Sequence, residues 1–239
     1  MNFPEVLAQS LSEWSSQKVK GVWILVPNSQ LELTAVCRDQ GFYPHHVNGS
    51  GIMMAKWLLS RPNSLPSYST HYIGVGGVVF HPDGKILLVK NRYSGIGVSN
   101  WRVPGGLVDC NELIKDAAVR EVFEETNIQT RPIGVIGFRE KKNYQFERPD
   151  IYFLVLLETL TYEYTLDPVE ITECKWGDFS QWTNEDLPGD ARKMLKYLIT
   201  GANIPPFDWL KSLILNYSHS DYISPNYTAT HYYHLSVPK

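Results

Sequence analysis

The sequence predicts an α/β protein in two parts, and three observations predict it. Short apolar runs of strand character alternate with segments of helical period along most of the chain. The stretch Arg61-Pro62-Asn63-Ser64-Leu65-Pro66-Ser67 is dense in residues that interrupt regular structure. It divides a small α/β unit, residues 1–67, from a larger unit, residues 68–200. The composition is that of an ordinary globular protein, 43% hydrophobic and 20% charged over 239 residues.

Each element follows in order. Phe3 to Trp14 has helical spacing, with Leu7, Leu11 and Trp14 on one stripe. Val19 to Pro27 is a short apolar run and reads as a strand. Gln30 to Gly41 reads as a helix closed by its glycine, followed by the extended piece Phe42-Tyr43-Pro44. Gly51 to Leu59 reads as another short helix. Ile73 to Phe80 is a strand, His81-Pro82-Asp83-Gly84 a tight turn, and Lys85 to Lys90 the returning strand of a hairpin. Asn91 to Asn100 is a polar loop. Trp101 to Val103 is extended, because Pro104 disfavours a helical residue before it. Glu112 to Thr126 is the clearest helix, with Asn111 as its expected cap. Ile133 to Phe138, Ile151 to Glu158 and Val169 to Trp176 read as three more strands. A closing helix runs from about Asp186 to Ile199. No element is assigned to residues 201–239, a C-terminal extension of unknown role.

Composition also bounds the function. A net charge of −3 and a pI near 6.2 give no general attraction to nucleic acid. Cys37, Cys110 and Cys174 are scattered and form no CxxC pair, which suits a reducing compartment. The expected location is the cytoplasm, with mitochondrion and nucleus left open. No stretch approaches 18 apolar residues, so no transmembrane helix is expected. The N-terminus lacks a basic start before an apolar core, so no secretory leader is expected.

The chemistry concentrates in residues 105–128, GGLVDCNELIKDAAVREVFEETNI. Glu121, Glu124 and Glu125 project from about one helical turn, with Glu121 and Glu125 on one face. Glu112 stands near the start of that helix. Two like charges at about 4 Å repel by about 1 kcal/mol in water and about 4 kcal/mol at an effective dielectric of 20. Arg120 can pair with Glu124 at i,i+4 but cannot neutralise four acids. A hard divalent cation can, and carboxylate oxygens suit Mg²⁺ or Mn²⁺. Gly105-Gly106 supplies a bend where a backbone carbonyl can also approach a metal. The bland alternative is a solvated acidic helix face.

The spacing decides against that alternative. The segment reads G-x5-E-x7-R-E-V-x-E-E-x-N-I, from Gly106 through Glu112, Arg120, Glu121, Glu124 and Glu125 to Ile128. This resembles the Nudix box, the signature of the Nudix hydrolase family, at six of seven fixed letters. The departure is Asn127, where the family has glycine. Asn is the next-best residue for a left-handed helix cap, so a small cost in stability and no change of role is expected.

The resemblance implies a mixed β-sheet sandwiched between helices in the larger unit. It implies a loop–helix–loop that binds divalent cations, Mg²⁺ or Mn²⁺, which grip a diphosphate. Glu121, Glu124 and Glu125 would be ligands, and Glu112 would support the site or a further metal. Arg120 would orient the carboxylates, and the Gly105 carbonyl would be an additional ligand. Family members often place a catalytic base before a late strand. Glu170 and Glu173 are the candidates there, and Glu170 is preferred. Arg102 and Arg139 are the candidate substrate contacts.

Other residues read less sharply. The stretch FREKKNYQFERPD, with Arg139, Lys141, Lys142 and Arg148, is either a phosphate-facing patch or an exposed hairpin loop. Trp101 and Tyr93 could stack on a base, though packing is the commoner use. His45 and His46 lack a third ligand nearby and read as packing. Gly74-Val75-Gly76-Gly77 lacks the third glycine of a dinucleotide loop, and a hairpin follows it rather than a helix.

The segments before the box also carry a resemblance. Val22-Trp23-Ile24, Gly41-Phe42, His45-His46 and Trp57-Leu58, then Leu65-Pro66, His71 and Gly74-Val75-Gly76-Gly77, are similar to one Nudix subgroup. It is typified by the fibroblast growth factor antisense protein and its plant relatives, with a short N-terminal domain before the Nudix domain. The first unit is therefore expected to be non-catalytic, with dimerisation as one option. The subgroup implies ADP-ribose or NADH as substrate, with AMP as product. A dinucleoside polyphosphate, coenzyme A, FAD or a capped RNA remains open, as does a non-catalytic nucleotide-sensing module. The expected partner is a small-molecule nucleoside diphosphate derivative, with no membrane and no non-specific nucleic acid.

Overall fold

The computed structural model describes residues 2–92, 101–184, 190–199, 206–212, 216–220 and 229–233. The chain divides into two compact units, Met1–Thr70 and His71–Lys239.

In the first unit, helix α1 (Phe3–Ser16) opens with a reciprocal cap between Asn2 and Glu5. The Asn2 Oδ1 accepts the Glu5 backbone N–H at 3.2 Å. Strand β1 (Gly21–Pro27), helix α2 (Leu33–Asp39), and strands β2 (Tyr43–Asn48) and β3 (Gly51–Trp57) follow. The strands form an antiparallel sheet in the order β1-β3-β2. Leu7 and Leu11 of α1 bury one face of it, meeting Val26, Cys37, Phe42 and Met54. Residues 51–57 form a strand rather than the expected helix. Met, Ala and Lys favour helix, but β3 pairs with β1 at seven consecutive positions and with β2 on its other edge. Tertiary pairing outweighs that intrinsic preference. Helix α2 is also shorter than expected, because Asn28–Gln30 takes a separate 3₁₀ turn.

The interrupting segment after β3 is tied to the sheet. Trp57 Nε1 donates to the Arg61 carbonyl at 2.8 Å, and Asn63 Nδ2 donates to the Tyr43 hydroxyl at 3.1 Å. His45 Nε2 lies 2.8 Å from the Pro66 carbonyl, so it carries the proton and donates. His46 stacks on Tyr68 at 4.4 Å between ring centroids. Both histidines are therefore packing residues.

The second unit contains strands β4 (Tyr72–Phe80), β5 (Lys85–Asn91), β6 (Trp101–Arg102), helix α3 (Ile114–Thr126), and strands β7 (Thr130–Gln145), β8 (Arg148–Thr159) and β9 (Ile171–Asp178). Helices α4 (Phe179–Asn184), α5 (Asp190–Ile199) and α6 (Pro206–Ser212) follow, then β10 (Asn216–Ser220) and β11 (Ala229–Tyr233). The main sheet has the order β6-β5-β4-β8-β7, with β9 on β5. It is mixed, since β4 and β8 run parallel over nine residues while β7 and β8 are antiparallel. One face packs on Ala117, Ala118 and Val122 of α3. The other packs on Phe179 and Trp182 of α4, Leu195 of α5 and Leu210 of α6. The sheet is thus sandwiched between helices. Part of the segment left unassigned by the sequence contributes to it, through α6. The expected start of the closing helix, near Asp186, lies outside the described residues, as do Tyr93 and the rest of the 93–100 loop.

The expected β4–β5 hairpin is corrected in one respect. The two strands pair only at Phe80 and Ile86. Beyond that point the segment Pro104–Val108 lies beside β4 instead. The Pro104 and Gly106 carbonyls accept from Gly77 and Val75, and Val108 donates to the Ile73 carbonyl. Strand β5 pairs with β6 and β9. This opening admits the acidic motif's loop into the sheet.

Candidate active site

Helix α3 is placed by its apolar positions. Ala117, Ala118 and Val122 turn into the core, and a Cβ on Gly77 would stand 2.5 Å from the Val122 side chain. The helix backbone therefore sits close against β4. Glu125 is buried along that same stripe, whereas the Glu124 side chain is exposed. The helix begins at Ile114 with Leu113 at the cap, not with Asn111. Asn111 takes a left-handed turn, φ +63°. Glu112 lies before the helix because its carboxylate is held in the loop. It accepts the Asp109 backbone N–H at 2.9 Å and two bonds from Arg120. At the other end, Asn127 adopts the left-handed cap conformation, φ +59°, as its place in the motif implies.

Arg120 is the hub of the site. Its Nε and Nη2 donate to the two oxygens of Glu112 at 2.7 and 2.8 Å. Its Nη1 donates to Glu121 at 2.8 Å and to Glu124 at 2.9 Å. Its Nη2 also reaches the Leu107 carbonyl at 3.0 Å. These bonds hold the Glu112 carboxyl below its ordinary range. Burial pushes Glu121 upward, and the charges of Glu124 and Glu170 add to that push against Arg120.

Glu125 is the most enclosed of the four, at 2% exposure. Burial pushes its carboxyl up to about 7, with Arg102 opposing and Glu121 reinforcing the shift. Arg102 Nη2 and Nη1 donate to its two oxygens at 2.6 and 3.3 Å.

The two glycines of the loop have distinct reasons. A Cβ on Gly105, φ +156°, would lie 2.1 Å from the Val75 carbonyl oxygen. A Cβ on Gly106 would lie 2.6 Å from both oxygens of Glu121. Gly105 lets the loop lie against β4, and Gly106 leaves room for the carboxylate.

The loop before β9 is fastened to the C-terminal end of α3. Thr165 donates to the Thr126 carbonyl and Asp167 to the Glu125 carbonyl. This puts Glu170 within electrostatic reach of Glu121. Glu173 is on β9 and forms an exposed ion pair with Lys90 at 2.5 Å. Arg139 pairs with buried Asp150 at 2.9 Å, and its guanidinium lies over the Tyr152 ring. The basic stretch around it is strand, part of a long β7–β8 hairpin that turns at Phe146 and Glu147. Trp101 packs into the second core layer under the Lys175 ammonium. Sequence reasoning missed Asn91, whose side chain accepts two bonds from Arg102. Its polar character at the end of an apolar strand was the available signal.

With all four ionised, the carboxylates face two guanidiniums, which leaves two negative charges. That balance and the all-oxygen donor set fit a divalent cation. Among the described residues, no three acidic, imidazole or thiol groups already converge as a metal cage. The oxygens are turned instead toward Arg120 and Arg102.

Comparison with known proteins gives the site a context. Residues 70–198 match the NUDIX domain, and residues 1–58 match a Nudix hydrolase domain. Nudix hydrolase 8 of Arabidopsis thaliana is 34% identical over 200 residues, covering 82% of this chain and 54% of the relative. Nudix hydrolase 6 of Arabidopsis thaliana is 34% identical over 197 residues, covering 81% of this chain and 69% of the relative. The human protein named nucleoside diphosphate-linked moiety X motif 6 is 32% identical over 181 residues, covering 74% and 57%. The chain thus spans about half to two thirds of the length of these relatives.

Proposed function

The chain belongs to the Nudix hydrolase family, and from that premise we propose that it hydrolyses the pyrophosphate bond of a nucleoside diphosphate derivative. The observation that carries this reading is the grip of Arg120 on Glu112, Glu121 and Glu124 beside the Arg102–Glu125 pair. Four acids are gathered at one loop and helix with two positive charges too few.

Glu121, Glu124 and Glu125, with the Gly105 carbonyl, would hold Mg²⁺ or Mn²⁺. Glu112 would act mainly as the anchor of Arg120. When bound, the cation supplies charge neutralisation, Lewis acidity and a water of lowered pKa. Arg120 keeps the carboxylates of the turn in register while they exchange partners. Glu170, beside Glu121, is the proposed acceptor of the proton from the attacking water. That water adds to one phosphorus, the bridging P–O bond breaks, and two phosphomonoesters leave.

ADP-ribose or NADH is the proposed substrate, with AMP as the shared product. Support comes from the subgroup resemblance of the segments before the box. The first unit is proposed to be non-catalytic, with dimerisation as a role, and the site of action is proposed to be the cytoplasm. The test is a panel of ADP-ribose, NADH, coenzyme A, FAD, diadenosine polyphosphates and nucleoside triphosphates, with products identified by mass. AMP from ADP-ribose or NADH ahead of the other members supports the proposal. Preferred cleavage of another member would replace the substrate and keep the reaction.

A further inference from the structure

The guanidinium of Arg102 has five N–H groups, and all five have acceptors within the protein. Nε donates to Asn91 Oδ1 at 2.9 Å. Nη2 donates to Asn91 Oδ1 at 2.5 Å and to Glu125 Oε1 at 2.6 Å. Nη1 reaches the Val103 carbonyl at 3.0 Å, the Gly105 carbonyl at 3.2 Å and Glu125 Oε2 at 3.3 Å. A phosphate would have to displace one of these contacts, and displacing Glu125 would leave a carboxylate enclosed without its partner.

We propose that Arg102 is a positioning residue rather than a substrate contact, and that Asn91 sets its orientation so that the Glu125 carboxylate and the Gly105 carbonyl are presented together. This rests on the proposed metal-dependent reading of the site. Arg102 touches both of those groups with one rigid planar fork. A lysine has the same charge but no such plane, so it cannot serve the two groups and Asn91 in one geometry. Asn91 bears on the site through Arg102, accepting from its Nε and Nη2.

The strand arrangement explains the choice of Asn91. It ends β5, the strand flanked by both β6 and β9. Arg102 lies on β6, and the next residue after Asn91, Arg92, donates its backbone N–H to the Glu170 carbonyl. The end of β5 therefore links the Arg102 fork to the loop that carries Glu170. Partners of this outer kind, which orient the groups that hold a metal, typically cost 10–100-fold in affinity or activity when removed.

The test uses the full chain with Asn91→Ala and Arg102→Lys. Three quantities are read: Mn²⁺ affinity by calorimetry without substrate, kcat and KM on the best substrate, and melting temperature. The proposal expects Mn²⁺ affinity and kcat to fall about 10–100-fold in both variants while KM stays within about two-fold. A raised KM with unchanged kcat and Mn²⁺ affinity would make Arg102 a substrate contact and overturn the proposal. Unchanged values throughout in Asn91→Ala, with a normal melt, would overturn it as well. If the wild-type chain itself binds no Mn²⁺, the metal-dependent reading beneath the proposal fails with it.

Discussion

Arg120 reaches back eight residues to Glu112 and holds both of its carboxylate oxygens, at 2.7 and 2.8 Å. Glu112 is outside helix α3, while Arg120 is within it. The pair therefore fixes the loop to the helix, and the remaining Nη1 is turned toward Glu121 and Glu124. Arg120→Lys should loosen both functions, because an ammonium cannot make the two-pronged contact. Turnover should fall about 10–100-fold with the melting temperature lowered by a few degrees. Steady-state kinetics and a thermal melt check this.

Glu125→Gln removes the enclosed charge while keeping the volume of the side chain. If Glu125 holds a metal directly, its loss should exceed the 10–100-fold typical of an outer partner. Turnover should drop more than about 100-fold, and the far-UV circular dichroism should stay that of the wild type. Unchanged turnover would remove Glu125 from the metal site.

The metal-free protein should lose stability as pH rises. Burial raises the Glu125 carboxyl to about 7 in the folded state, from an ordinary value of 4.5. The folded chain then keeps a proton that the unfolded chain releases between those values. The related stability is fully present below the unfolded value and is lost as pH rises through 7, by on the order of 3 kcal/mol. Melts in EDTA should therefore be lower at pH 8 than at pH 6. Glu125→Gln should flatten that difference, and added Mg²⁺ or Mn²⁺ should restore the melt at pH 8. An EDTA melt equal or higher at pH 8 would contradict the assignment.

The two loop glycines should fail in different ways. Gly105→Ala puts a Cβ against the backbone of β4, with the Val75 oxygen at 2.1 Å, so its main effect should be a lower melting temperature. Gly106→Ala meets the movable end of Glu121 at 2.6 Å. It should spare most of the stability and reduce turnover. Comparing the two variants by melt and by kcat checks the contrast.

Glu170 and Glu173 can be separated by the same means. Glu173 already has Lys90 as a partner at the sheet edge, whereas Glu170 adds its charge to Glu121. Glu170→Gln should lower kcat by about 10²–10⁴-fold, the range for a positioned general base, and Glu173→Gln should leave it nearly unchanged. Equal effects from the two variants would remove Glu170 as the base.

The candidate site was legible because its residues are close in sequence and their spacing is rigid. Glu121, Glu124, Glu125 and Arg120 share one helix, so periodicity alone placed them on neighbouring faces. What escaped was set by long-range pairing. Residues 51–57 carry a helical composition but are claimed by two neighbouring strands. The β4–β5 turn was correctly read, yet nothing local says that Pro104–Val108 displaces β5 from β4 after one pair. From the sequence, Arg102 reads as a candidate substrate contact. Its partner Glu125 is 23 residues away and Asn91 is 11 residues away, distances at which sequence pattern carries no geometry.

The most direct test of the central claim is release of AMP from ADP-ribose and NADH by the wild-type chain, with Mg²⁺ or Mn²⁺ and with EDTA, beside Glu125→Gln under the same conditions. The predicted result is AMP with either cation, none with EDTA and almost none from the variant. AMP formed equally in EDTA, or equally by Glu125→Gln, would contradict the claim that these four carboxylates and their two arginines make a cation-dependent pyrophosphatase.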